Sequence, residues 1–121
     1  MISAVDLDTG ELRWQHPLGA APLGLPGLHA PASWGTINLG GPLVTGSGLV
    51  FIGATSDGMF RAMNVWTGEV LWEHALPFPG AATPMSFQSA DGRQFVVIAA
   101  GGSILLRSPI GDALVAFALP R

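Results

Sequence analysis

The sequence has no cysteine. That excludes a disulfide framework, a thiolate metal site and a cysteine nucleophile, and it leaves the redox compartment undetermined. Charge is scarce: 11% of the 121 residues are charged, against about 25% in an average domain. So little charge excludes a coiled coil, a basic nucleic-acid module and a charged disordered tail. The formal net charge is −3, so binding to a phosphate backbone has no electrostatic footing and no nucleic-acid partner is expected. No apolar run reaches the roughly 20 residues of a membrane helix. The longest, residues 95–106, is broken by Gly101-Gly102-Ser103. The opening six residues show no basic region followed by an apolar stretch, so no signal peptide is legible.

Glycine, proline and apolar side chains are plentiful. There are 17 Gly and 10 Pro, and 49% of residues are hydrophobic. That hydrophobic share can supply a core, so Pro and Gly do not by themselves imply disorder. The length implies one domain. High hydropathy with little charge points to surface that further protein normally covers.

An internal repeat organises the chain. Ala4-Val5-Asp6-Leu7-Asp8-Thr9-Gly10-Glu11-Leu12-Arg13-Trp14 aligns without gaps to Ala62-Met63-Asn64-Val65-Trp66-Thr67-Gly68-Glu69-Val70-Leu71-Trp72, an offset of 58 residues. A truncated third opening stands at residues 114–120. Runs of strand length, at 49–54 and 95–100, follow turn signals. Asp57-Gly58, Thr67-Gly68 and Asp91-Gly92 mark further turns. No segment sustains a helical period. The pattern predicts an all-β chain holding about two four-stranded antiparallel blades of a β-propeller. Residues 1–18 would end one blade, 43–77 form a complete blade, and 83–120 form an incomplete final one. Trp14 and Trp72 are expected as packing residues between a neighbouring sheet and a turn glycine, not as cofactor stackers.

The motif Ala-x-Asp-x-x-Thr-Gly-x-x-x-Trp resembles the tryptophan-docking repeat of quinoprotein dehydrogenases, eight-bladed propellers that carry pyrroloquinoline quinone (PQQ). The resemblance extends over residues 40–57, Arg61-Ala62, Ala82-Thr83-Pro84-Met85, residues 94–102 and residues 111–120. Taken together, the chain is similar to the C-terminal end of membrane-bound glucose, quinate or shikimate dehydrogenases. The resemblance implies oxidation of a sugar or polyol alcohol group with electrons passed to ubiquinone or another membrane acceptor. It also implies a periplasmic location, membrane association through an absent N-terminal part, and the remaining blades as partners. The catalytic base and the Ca2+ or Mg2+ ligands would come from those blades, so the chain alone is expected to be inactive.

Three residues are the cofactor-binding candidates. Asp57 is a turn aspartate by default, and the resemblance implies that it supports the PQQ site. Asn38, in the Gly-rich stretch Trp34-Gly35-Thr36-Ile37-Asn38-Leu39-Gly40-Gly41, can donate to and accept from a quinone carbonyl or a carboxylate. Trp34 ranks third. Arg61 is expected on the sheet surface or in solvent, although its fork suits carboxylates. His16, His29 and His74 lack metal-ligand spacing and are expected on loops or strand surfaces. One departure stands out. After Gly101-Gly102 the family continues with His-Gly, whereas here Ser103-Ile104-Leu105-Leu106-Arg107-Ser108-Pro109-Ile110 intervenes. A different mode of PQQ binding, a decayed site and a local frame shift all fit that departure. Two rival readings are a non-catalytic propeller scaffold built on the same repeat, and a two-blade unit that closes a ring by oligomerising. The mid-blade opening residues favour a truncated chain over a true start at Met1.

Overall fold

The computed structural model describes residues 1–23 and 25–120. Apart from one 3-10 turn, Ala32–Trp34, its regular structure is antiparallel strand. Three sheets follow one another along the chain. The first pairs β1 (Ile2–Val5) with β2 (Leu12–His16). The second is a meander of β3 (Leu43–Val44), β4 (Leu49–Ile52), β5 (Met59–Asn64) and β6 (Val70–Ala75). The third contains β7 (Met85–Gln88), β8 (Gln94–Ala100) and β9 (Ala113–Ala118). This is the all-β blade architecture that the repeat predicts.

The repeat is also a repeat of hydrogen bonds. Asp6 Oδ1 accepts from the amides of Asp8 and Thr9, and Asn64 Oδ1 accepts from those of Trp66 and Thr67. Each is an Asx turn, in which a short side chain replaces backbone acceptors. Gly10 N donates to Asp6 O and Gly68 N to Asn64 O, both at 2.8 Å. The two glycines sit at φ +74 and +72, a region L side chains rarely adopt. The Thr-Gly dipeptide thus reverses the chain sharply enough to bring β2 back onto β1 and β6 back onto β5.

Strand register sorts the second sheet into two apolar faces. Val50, Ile52 and Met63 point one way and join Leu18 and Ala54, with Ile2 and Val65 beside them. Phe60 points the other way and joins Val96, Ile98 and Ala100, with Phe51 and Phe117 packed alongside. The centre of the middle sheet, β4 and β5, is therefore covered on both faces, while β6 stays exposed, which is why β4 and β5 are rich in apolar residues.

Trp14 adds a hydrogen-bonded contact between the first two sheets. Its Nε1 donates to Val65 O at 2.9 Å. A Cβ added to Gly68 would meet Trp14 Cε3 at 2.7 Å. The indole lies on the bare glycine, as the sequence predicts.

Antiparallel succession sends the connections alternately to two ends. The short turns 6–11, 45–48, 65–69 and 89–93 gather at one end. The longer connections 17–42, 53–58, 76–84 and 101–112 gather at the other, where they interlock. Ala54 N donates to Gly80 O and Gly102 N to Pro79 O, each at 2.9 Å. Gly41 N donates to Thr83 Oγ1 at 3.0 Å. Residues 17–42 and 76–84 contain no Asp, Glu, Lys or Arg, whereas the short turns carry Asp6, Asp8, Glu11, Glu69 and Asp91.

Candidate functional site

The interlocked end holds the candidate residues. Asp57 closes the connection between β4 and β5, and its carboxylate is fully engaged. Arg61 Nη2 donates to Oδ2 at 2.6 Å and Arg61 Nη1 to Oδ1 at 3.3 Å. The Thr55 hydroxyl and the Met59 amide donate to Oδ1, and the Ala20 amide donates to Oδ2 at 3.0 Å. Burial alone would raise the Asp57 pKa. Arg61, Thr55 and the two amides outweigh that effect and hold it below the usual carboxylate range. Asp57 therefore stays ionised and ties the connection after β2 to the middle sheet.

Arg61 corrects the expectation of a solvated residue. It is only 9% exposed. Its register opposite Glu73 on β6 directs it toward the first sheet, between two layers, and Arg61 Nε pairs with Glu73 at 3.3 Å. Strand alternation alone does not distinguish solvent from a neighbouring sheet, so sequence reasoning placed it outside.

Asn38 reaches the same region from the opposite side. Its backbone forms an isolated bridge with Thr55, and Leu39 N donates to Ala54 O at 2.8 Å. Ala54 is fully buried at φ +48, a conformation that costs an L residue about 1–2 kcal/mol. Both its amide and its carbonyl are hydrogen-bonded, so the neighbouring connections hold it there. The segment carrying Asn38 is thereby fixed against Thr55, whose hydroxyl also touches Asp57. Asn38 Oδ1 is buried and has no hydrogen-bond partner among the described residues. A buried acceptor left unpaired costs about 1–3 kcal/mol, which marks a position built for a donor. Thr36, two residues before it, and Ser56, which follows Thr55, join their hydroxyls.

Trp34 ends the 3-10 turn and is 75% exposed. The structure thus brings Asn38 and Asp57 together through Thr55 and leaves Trp34 exposed. Residues 103–110 fold into a compact loop. Ser103 N donates to Ser108 Oγ and Ser108 N to Ser103 O, and Arg107 adopts φ +49 with an exposed side chain. No histidine enters the site from this loop. Among the described residues, no group of three or more His, Asp or Glu is arranged to hold a metal. Asp57 is locked in its ion pair, and Asn38 presents a buried acceptor.

The histidines have a role that the sequence reading missed. His16 stacks on Trp14 with ring centroids 5.4 Å apart, and its Nε2 lies 3.2 Å from Thr67 O. His74 stacks on Trp72 at 5.9 Å. The signal was present as a Trp-x-His extension of the repeat at the same offset.

Residues 1–96 match the family described as PQQ, glucose/ethanol/alcohol dehydrogenase, β-propeller domain. The chain is 48% identical to the glycerol dehydrogenase large subunit of Gluconobacter thailandicus over 99% of its own length and 17% of that protein. It is 44% identical to quinoprotein glucose dehydrogenase A of Acinetobacter calcoaceticus, over 98% of this chain and 15% of that one. Among solved structures it is similar to a europium-containing methanol dehydrogenase, with a TM-score of 0.58 and 30% identity, over 81% of this chain and 14% of that one. The chain therefore spans about a sixth of the length of the curated relatives it matches.

Proposed function

We propose, on the premise that this chain belongs to the family of PQQ-dependent glucose/ethanol/alcohol dehydrogenase β-propeller domains, that it forms one wall of the cofactor pocket in a larger sugar or polyol dehydrogenase. One observation carries this reading: the identity of 44–48% to glucose and glycerol dehydrogenases runs over nearly the whole chain. In this reading the parent protein passes electrons to a membrane quinone and works on the periplasmic side of the membrane. Its Ca2+ or Mg2+ ligands lie in blades outside these residues. A lanthanide is the next candidate, because the similar methanol dehydrogenase is described as containing europium.

The residues fit the cofactor at one point. The buried, unpartnered Asn38 oxygen needs an N–H donor or a cation. PQQ presents a ring N–H of that kind. When bound, PQQ supplies the two-electron acceptor for oxidation of an alcohol to a carbonyl. Asn38 would orient it by accepting from that donor. Asp57 would act from behind as a positioning residue, keeping the connection at 53–58 and the Thr55–Asn38 bridge in place. Trp34 would shield the rim from water. In this reading the base that takes the alcohol proton is supplied by the blades of the parent outside these residues.

The test is PQQ-dependent dye reduction by the complete parent polypeptide with glucose, glycerol and quinate, beside the 121-residue chain alone. Turnover with at least one substrate by the parent, and none by the chain, is the expected result. Turnover by the chain alone would overturn the division of labour. No PQQ-dependent oxidation by the parent would overturn the reaction class.

A further inference from the structure

We propose that Ile98, on the third sheet, is a positioning residue for the segment that carries Asn38. Its side chain wedges the connections 53–58 and 76–84 together and so sets where the Asn38 acceptor stands. What Asn38 accepts from rests on the cofactor reading above; the wedge itself does not.

Ile98 lies within β8 and is 1% exposed. Its Cδ1 fills a notch left by two glycines of other elements. A Cβ added to Gly53, just after β4, would meet Ile98 Cδ1 at 2.6 Å and Gly80 O at 2.7 Å. One added to Gly80 would meet Ile98 Cδ1 at 2.7 Å and Ile98 Cγ1 at 3.3 Å. Neither glycine sits at positive φ. Space, not backbone conformation, requires both of them.

From the wedge, contacts run outward to Asn38. Gly80 O accepts from Ala54 N at 2.9 Å, and Ala54 O accepts from Leu39 N at 2.8 Å. Ala54 makes both bonds at φ +48 while fully buried. An L residue keeps that conformation only where its surroundings impose it. The 76–84 connection also grips the next two residues. Gly41 N donates to Thr83 Oγ1 at 3.0 Å, and a Cβ added to Gly40 would meet Ala82 O at 2.9 Å. Asn38 itself bridges to Thr55. Its side-chain oxygen has no hydrogen-bond partner among the described residues, so backbone contacts alone place it. Close-packed contacts pass a shift on and do not absorb it. The seating of the third sheet therefore reaches the acceptor through Gly80 and Ala54.

The experiment follows amide exchange in the full chain by NMR. It compares Leu39 with Val65, whose amide is bonded to Gly48 O at the opposite end of the second sheet. Ile98→Val removes the wedging methyl, a loss that cores tolerate. Leu39 exchange should rise about tenfold, and Val65 exchange by no more than about twofold. Gly80→Ala alone forces a methyl against Ile98 Cδ1 and should release Leu39 as well. The two changes together put the added methyl into the vacated space and should return Leu39 to within about twofold of the original chain. PQQ affinity of the parent, titrated by fluorescence, should follow the same order: weakened about fivefold by either single change and restored by the pair. Equal acceleration of Leu39 and Val65 overturns the wedge, and so does a double variant no better than the single ones. Selective release of Leu39 with unchanged PQQ affinity supports the wedge and overturns the cofactor reading of Asn38.

Discussion

The two Thr-Gly turns allow the cost of tryptophan docking to be isolated. Gly10 and Gly68 share their turn geometry, at φ +74 and +72. Nothing lies within 4 Å of a Cβ added at Gly10. At Gly68 the same atom meets His16 Cδ2 at 2.5 Å and Trp14 Cε3 at 2.7 Å. Gly10→Ala therefore carries the backbone penalty alone, about 1 kcal/mol. Gly68→Ala carries that penalty and also lifts the indole. Loss of the Trp14–Val65 hydrogen bond adds about 1 kcal/mol. Exposure of about 50 Å2 of ring surface adds about 1 kcal/mol more at ~25 cal/mol/Å2. The difference between the two variants should be about 2 kcal/mol, which corresponds to roughly 8 °C in Tm for a domain of this size. Urea unfolding followed by tryptophan fluorescence measures it. In a Trp14→Ala, His16→Ala background, Gly68→Ala should cost no more than Gly10→Ala, because both rings that the added Cβ meets have gone. Equal effects of the two glycine variants in the parent background would refute the docking account.

Other consequences are equally direct. Asp57 has a folded pKa below its unfolded value of about 3.9, so its contribution is present above that value and disappears as pH falls through the folded one. Asp57→Asn should cost about 2 kcal/mol at pH 7 and flatten the acid limb of a stability–pH curve. An unchanged acid limb would remove Asp57 from the knot. Asn38→Leu should leave the chain as stable or raise it by about 1 kcal/mol, since it deletes an unpaired buried oxygen. In the parent it should weaken PQQ binding at least tenfold by fluorescence titration. Gly53→Ala should cost about 2 kcal/mol in chemical denaturation, because its Cβ meets Gly80 O at 2.7 Å and Ile98 Cδ1 at 2.6 Å. Arg107→Gly should raise stability by about 0.5 kcal/mol by relieving φ +49 at an exposed position, read as a Tm increase of a few degrees.

The fold was legible because its determinants are local. Thr-Gly turns, Asx side chains and strand-length apolar runs each act within a dozen residues, and together they define the meanders. The packing role of Trp14 followed from the same repeat. What depended on relations between sheets was harder to read. Arg61 looked like any strand residue that alternates with apolar neighbours, because nothing nearby in sequence says that its face meets another layer. The amide of Ala20, which completes the Asp57 knot, lies 37 residues away. Asn38 was legible as a polar residue in a glycine-rich stretch. Its missing partner was not, because an unsatisfied atom is a property of packing.

The centre of the middle sheet, covered on both faces at β4 and β5, has a consequence for how the chain opens. Each outer sheet leans on one neighbour, whereas the middle sheet leans on two, so protection from hydrogen exchange should fall away in both directions along the sequence. Amides of β5, flanked by strands on both sides and buried above and below, should exchange most slowly. Those of β1 and β9 should exchange far sooner, each from a layer that one partner holds. The outer sheets then behave as leaves that lift separately from a common stem, and a blade added at either end would slow the leaf beneath it before it slowed the stem.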